Sequence, residues 1–131
     1  MKKERVMKLE FLASGAPNCP LIRVYEFDAE EAHQLHRIAL QLTRTKETTV
    51  LLHKQPNVAA IGGCELTLHQ GEKDRGVSEI FPLKFEWILS QSGWLHVADL
   101  IWPFSRDGAN GFQWLTNTGK VQILLSFDGK W

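Results

Sequence analysis

Most of the aromatic residues of this chain fall in one stretch, from Phe81 to Trp114, and any fold has to bury much of it. The stretch holds eight of the thirteen aromatic residues and four of the five tryptophans. Between Phe81 and Leu89, every second residue is aromatic or leucine, which is the period of a strand with one buried face. The sequence therefore predicts a core strand at 81–89.

A short helix is expected after this strand. The residues from Gly93 onward are mostly apolar without the alternation of a strand, and Pro103 cannot continue a regular helix. On a helical wheel, only His96 and Asp99 are polar, and they lie one turn apart on the same face. This composition predicts a largely buried helix at about 93–102.

The clearest local signal belongs to an earlier helix. Asp28 is a favourable N-cap residue, and Glu31 stands three positions later, where it can complete a capping box. Acidic residues in the first turn also suit the helix dipole. The sequence predicts a helix at about 29–44 whose apolar stripe lies on the sheet. The stripe consists of Ala32, Leu35, Ile38, Ala39 and Leu42.

Six further stretches have the alternating or apolar character of strands. They are 7–13, 21–27, 48–54, 60–70, 112–117 and 121–127. Because the connections are mostly too short for parallel crossovers, they favour an antiparallel arrangement. We predict an α+β fold, a mainly antiparallel sheet of about seven strands with two helices at about 29–44 and 93–102. The alternative is a strongly curved or barrel-like sheet around the second helix, which is apolar nearly all round.

Length and charge limit the classes of protein. A chain of 131 residues is expected to form one domain, residues 1–131, in which residues 1–5 are a flexible tail. Basic and acidic residues are equal in number, 15 each, so we expect no nucleic acid partner. No apolar run has the length of a signal peptide or a membrane span, and we expect a cytoplasmic protein without membrane contact. Cys19 and Cys64 lack the paired spacing of zinc or redox motifs and are expected to be reduced.

One pair of residues suggests acid–base chemistry. An imidazole one helical turn from a carboxylate, in surroundings of low dielectric constant, is arranged as a general base requires, and His96 and Asp99 have this spacing. Asp107, in the loop after the helix, is the third candidate catalytic residue of such a site. The simpler interpretation is that His96 and Asp99 mark the solvent side of a mostly buried helix.

A metal site would begin at His33 and His36. These residues are three positions apart on the first helix, so both side chains can approach one ion. A site needs a third ligand, and the sequence does not identify one. We therefore expect no metal and no other cofactor, and the alternative role of the pair is a surface patch, including one at a dimer interface.

Five tryptophans are difficult to bury completely in a domain of this size. We expect Trp131 to fold back over a sheet edge or a partner, and Trp102 and Trp114 to reach the surface. With Arg106, the last two define a candidate ligand-binding surface near residues 102–114. The sequence thus predicts a non-catalytic interaction or ligand-binding module whose partner is a protein or a small molecule, with a homodimer as one form. The alternative is the small enzyme described above.

Overall fold

The structure is a computed structural model that describes residues 7–16, 19–46, 48–106, 110–116 and 120–131, with only the backbone at 14–16 and 19. The helices are α1 (Ala29–Arg44) and α2 (Gln91–Ile101). The strands are β1 (Met7–Ala16), β2 (Cys19–Tyr25), β3 (Thr49–Leu51), β4 (Val58–Ile61), β5 (Glu65–Gln70), β6 (Gly76–Phe81), β7 (Lys84–Leu89), β8 (Phe112–Thr116) and β9 (Gln122–Ser126). The tail predicted at residues 1–5 lies outside these ranges.

The α+β class and the two helices are confirmed, but the predicted sheet is correct only in part. The nine strands of the described ranges form two mixed sheets, with the orders β4-β1-β2-β9-β8 and β3-β5-β7-β6, and they do not close into a barrel. Three pairs are parallel: β1 with β4, β2 with β9, and β5 with β7. Each of these pairs is separated along the chain by other elements. Short loops between consecutive strands therefore did not exclude parallel pairing.

The stretch predicted as one strand at 60–70 contributes to both sheets. Gly62 and Gly63 have φ angles of 68° and 81°, a region that residues with a Cβ rarely adopt. The chain turns there, so that β4 forms an edge of the first sheet and β5 lies inside the second. From the sequence alone, such a glycine pair inside a strand suggests a bulge or a close backbone approach, because nothing local shows that its flanks belong to different sheets.

A second turn interrupts the strand predicted at 81–89. Pro82 and Leu83 connect β6 to β7, and Leu83 has a φ of 66°, which is unfavourable for a residue with a Cβ. The carboxylate of Glu79 accepts a hydrogen bond from the Leu83 N–H at 3.0 Å and holds this conformation. Ile80 and Phe81 are 59% and 65% exposed beside the turn. The hairpin thus presents large apolar side chains to solvent.

Helix α1 has the predicted bounds because both halves of its capping box form. The Asp28 carboxylate accepts from the Glu31 N–H at 2.9 Å, and the Glu31 carboxylate accepts from the Asp28 N–H at 3.1 Å. The second carboxylate oxygen of Glu31 accepts from the Met7 N–H of β1 at 3.2 Å. Glu31 is only 1% exposed, so this one side chain joins the first turn of α1 to the first sheet.

Helix α2 begins two residues earlier than predicted. The hydroxyl of Ser90 accepts from the Gly93 N–H at 3.1 Å and caps the helix. The side toward the core is buried, but Leu95 is 50% exposed, and His96 and Asp99 are exposed with it. The solvent-facing side of α2 is therefore wider than expected from its two polar residues alone.

The two sheets and the two helices share one apolar core. The rings of Phe11 in the first sheet and Phe85 in the second have centroids 4.7 Å apart. Trp94 of α2 lies at the same distance from Trp87 of β7, and its indole N–H donates to the His69 carbonyl at 2.7 Å. The core thus joins both sheets through α2.

The residues after β9 fold back on the face of the first sheet that points away from the core. The guanidinium of Arg23 donates to the Gly129 carbonyl at 2.8 Å, and the Ser126 hydroxyl donates to the Lys130 carbonyl at 2.6 Å. Trp131 remains 43% exposed at the end of this segment.

Candidate functional site

A groove of about 310 Å³ lies between α2 and β8, a volume at the lower end of the range for ligand pockets. We call it the α2–β8 groove. One wall is formed by α2 and the other by β8, and Asp74 and Leu89 complete the lining. The elements on either side come from the aromatic stretch that dominates the sequence.

The helical wall is a single face of α2. Gly93, His96, Val97 and Leu100 follow the spacing i, i+3, i+4 and i+7, which places them in one row. Val97 is buried, Leu100 is partly buried and His96 is exposed, so the row runs from the core to the solvent. A Cβ at Gly93 would overlap the Asp74 carboxylate, so a glycine is needed for Asp74 to approach the helix.

The opposite wall is the edge of β8, which is the last strand in the order of its sheet and has an open edge within the described part of the chain. Gln113, Trp114, Leu115 and Thr116 all line the groove. Successive side chains of a strand point to opposite faces, so a groove that is lined by four successive residues follows the edge. The Trp114 carbonyl accepts a hydrogen bond from the Gln113 side-chain amide at 3.0 Å. A side chain thus takes the place that a neighbouring strand would occupy.

Asp74 supplies the negative charge of the groove. Its carboxylate accepts hydrogen bonds from the Ser90 hydroxyl at 2.7 Å and the Ser90 N–H at 2.8 Å. These two bonds, in this order, lower the pKa of Asp74, burial opposes them, and the charge of His96 adds a smaller lowering. Asp74 is therefore ionised at neutral pH. Its role could not be predicted from the sequence, because Asp74 lies in a loop of exposed charged residues.

The lowered pKa of Asp74 predicts a pH-dependent stability. In the unfolded chain this carboxyl titrates near its ordinary pKa of 3.8. The carboxylate therefore stabilises the fold above that value, and the stabilisation is lost as the pH falls through the lower pKa of the folded state. We expect D74N to reduce the free energy of unfolding by about 1 kcal/mol at neutral pH, because the site is largely exposed.

Urea denaturation of D74N and wild type should show this difference shrinking as the pH is lowered below 3.8. E72Q, in the same exposed loop, is the matched control and should track the wild type at every pH. A difference between D74N and wild type that does not change with pH would contradict the role of the Asp74 charge.

The structure separates two of the three candidate catalytic residues, His96 and Asp99. His96 lines the α2–β8 groove, where its carboxylate neighbour is Asp74. Asp99 does not line the groove, and its charge acts on His36 of α1 instead. Asp107 lies outside the described residues. The acid–base set proposed from the sequence is therefore not assembled in the described part of the chain.

The three candidate ligand-binding residues also lie in different places. Trp114 is partly buried in the wall of the groove. Trp102 is 44% exposed, and its ring lies 5.0 Å from that of His36 in α1. Arg106 is exposed and does not contribute to the groove lining. Of the predicted aromatic surface, only the Trp114 end belongs to the groove.

The candidate metal ligands form a stacked pair. The rings of His33 and His36 are 6.3 Å apart and nearly parallel, at 22°. Burial and the neighbouring charge of His33 lower the pKa of His36, and Asp99 acts in the opposite direction. Within the described ranges, no group of three histidine, cysteine or acidic side chains is arranged to hold a metal ion.

Cys64 is a buried free thiol, and burial is the main cause that raises its pKa to about 12.

Two other depressions, of about 500 Å³ each, have a larger volume than the groove. One lies on the solvent side of α1 around Arg37 and Arg44, and the other surrounds the loop at Lys73. Both are lined mainly by long polar side chains on the surface. The α2–β8 groove differs because it combines an apolar wall with an open backbone edge.

Comparisons with protein-family models, with curated proteins and with solved structures found no match to this chain.

Proposed function

We propose that the protein is a non-catalytic binding module and that the α2–β8 groove receives its ligand. The observation that carries this proposal is that one helix face and one open strand edge line the same groove. A ligand there gains apolar contacts from Val97 and Leu100 and hydrogen-bonding groups from the edge of β8. Asp74 adds a fixed negative charge. Binding pockets typically combine apolar side chains with directed polar groups, and this groove contains both.

A protein partner is favoured over a small molecule by the apolar surface outside the groove. Ile80, Phe81 and Leu83 on the β6–β7 hairpin are 59%, 65% and 38% exposed, and exposed apolar patches of this kind mark protein interaction sites. A second copy of the chain is one such partner. Over the part of the chain that the structure describes, neither helix has the length and apolar character needed to cross a membrane. A cytoplasmic location belongs to this proposal.

The proposal can be tested by mapping ligand contacts on the isotope-labelled protein by NMR. We would titrate it with two sets of ligands, short peptides and a panel of metabolites. Amide signals of residues 93–100 and 113–116 should shift first. L100E should weaken binding about tenfold or more, because it removes an apolar wall of the groove. L95E, on the solvent side of the same helix, is the matched control and should leave binding unchanged.

Three results would count against this assignment. The first is a set of shifts that centres on Trp102 or on the hairpin at 80–83. The second is equal weakening by L95E and L100E. The third is the absence of shifts at α2 and β8 with both sets of ligands. A thermal melt of each variant checks that the substitutions leave the protein folded.

A small enzyme is the second candidate, and one observation favours it: His96 and Asp74 share the groove. The hydroxyl of Ser90 donates to Asp74 and accepts from the Gly93 N–H, so it acts as a helix cap. Turnover of any substrate that is abolished in H96N, with an unchanged melting temperature, would favour this candidate over the binding module.

A further inference from the structure

We propose that the ligand of the α2–β8 groove is an extended segment of a partner protein, which pairs with β8 as an added strand and places a basic side chain against Asp74. This inference rests on the proposed function and specifies the partner of the same site. β-Strand addition to a sheet edge gives affinity through the main chain and specificity through alternate side chains.

The dimensions of the two walls agree with an extended occupant. From Gly93 to Leu100 the helix advances about 10 Å, and from Gln113 to Thr116 the strand advances about 10 Å. The groove is therefore long enough for about three residues of extended chain. Residues from both ends of each of these stretches line the groove, so an occupant contacts the strand and the helix at the same time.

The backbone of β8 has groups directed at this occupant. An edge strand leaves the N–H and C=O of alternate residues without a strand partner. The Phe127 N–H donates to the Gly111 carbonyl at 2.9 Å, which directs Gly111 toward β9. By alternation, Phe112 and Trp114 direct their backbone groups away from β9. The bond from the Gln113 amide to the Trp114 carbonyl is consistent with this direction, and an incoming strand would replace it.

The charge of the groove selects a basic segment. Among the described residues that line it, Asp74 is the sole carboxylate, and none is a lysine or an arginine. The nearby basic residues Lys73 and Arg75 line a separate depression around Gly71. Asp74 lies beside the first turn of α2, at one end of the groove. A lysine or arginine at that end of the segment would meet it.

The test uses short synthetic peptides that alternate valine with lysine, and fluorescence anisotropy to measure their dissociation constants. Two N-methylated versions carry the methyl groups on alternate residues, one on each edge of the extended peptide. Only one edge can face β8, so we expect one version to bind at least about tenfold more weakly than the other. A peptide that alternates valine with glutamate should bind more weakly than the lysine peptide.

D74N should weaken binding of the lysine peptide by about three- to fivefold, as expected for an exposed ion pair, and this effect should diminish at high salt. E72Q should leave the affinity unchanged. Equal binding of both N-methylated peptides, or equal binding by D74N and wild type, would overturn the inference. If no peptide binds while metabolites shift the signals of α2 and β8, the inference fails and the proposed function stands. If neither set shifts them, both fail.

Discussion

Replacing Trp94 by alanine lowers the free energy of unfolding by about 3–5 kcal/mol, which is the largest effect we expect from a single substitution here. Trp94 is fully buried between the helices and the second sheet, against Trp87. The surrounding core is closely packed, since the internal cavity beside it has a volume of only about 10 Å³. The neighbours have little freedom to fill the space that alanine leaves.

Urea denaturation followed by circular dichroism measures this effect without relying on the fluorescence of the residue removed. W94F and W87F form a matched pair that isolates the role of the indole N–H. The indole N–H of Trp94 donates to the His69 carbonyl, whereas the indole N–H of Trp87 is buried without a hydrogen-bond partner in the described ranges. W94F should cost about 1–3 kcal/mol, and W87F clearly less, because phenylalanine removes an unpaired polar group there. Equal costs would contradict this account.

Replacing Glu31 by alanine is expected to cost about 1–3 kcal/mol. The substitution removes the acceptor of the Asp28 N–H and one of the two acceptors of the Met7 N–H, which also donates to the Asn57 carbonyl at 3.0 Å. Glu31 is only 1% exposed, so both of its hydrogen bonds lie in a site largely closed to water. Hydrogen bonds to a carboxylate contribute more than those between neutral groups, and alanine removes both.

The same denaturation experiment has a natural control in E30A, the neighbouring glutamate in the first turn of α1. Glu30 is exposed, and we expect it to stabilise the helix through a favourable interaction with the helix dipole. E30A should therefore cost no more than about 1 kcal/mol. E31Q keeps one acceptor oxygen and should fall between E30A and E31A. If E31A costs no more than E30A, the buried carboxylate does not join α1 to β1.

Helix α1 could be predicted to the residue because its signals are local. Asp28 and Glu31 are three positions apart, and their two reciprocal hydrogen bonds need nothing from the rest of the chain. The strands are different. Gly62 and Gly63 have the same local character whether they form a bulge or divide two sheets, and only distant partners decide. β4 pairs with β1 and β5 with β7, and these choices leave no local pattern around the glycines.

Some residues of the candidate groove could be predicted from the sequence, but their spatial arrangement could not. His96 and Trp114 were singled out for their residue types, yet their proximity depends on β8 docking beside α2. Asp99 shares a helix turn with His96, but its charge acts on His36, because α1 packs against α2. Asp74 had no distinguishing feature, since its role comes from hydrogen bonds to Ser90, 16 positions later. Long-range contacts of this kind are not encoded in periodicity.

The position of β9 has a consequence for how the protein is made. This strand lies between β2 and β8 in the first sheet, yet it follows every other described element along the chain. On the ribosome, β2 emerges long before β9, so the hydrogen-bonding edge at Leu21 to Tyr25 stays open until Gln122 to Ser126 have been synthesised. An open edge is a template for association with other chains. We expect the first sheet to form late and slowly, and the nascent protein to depend on chaperones that cover β2.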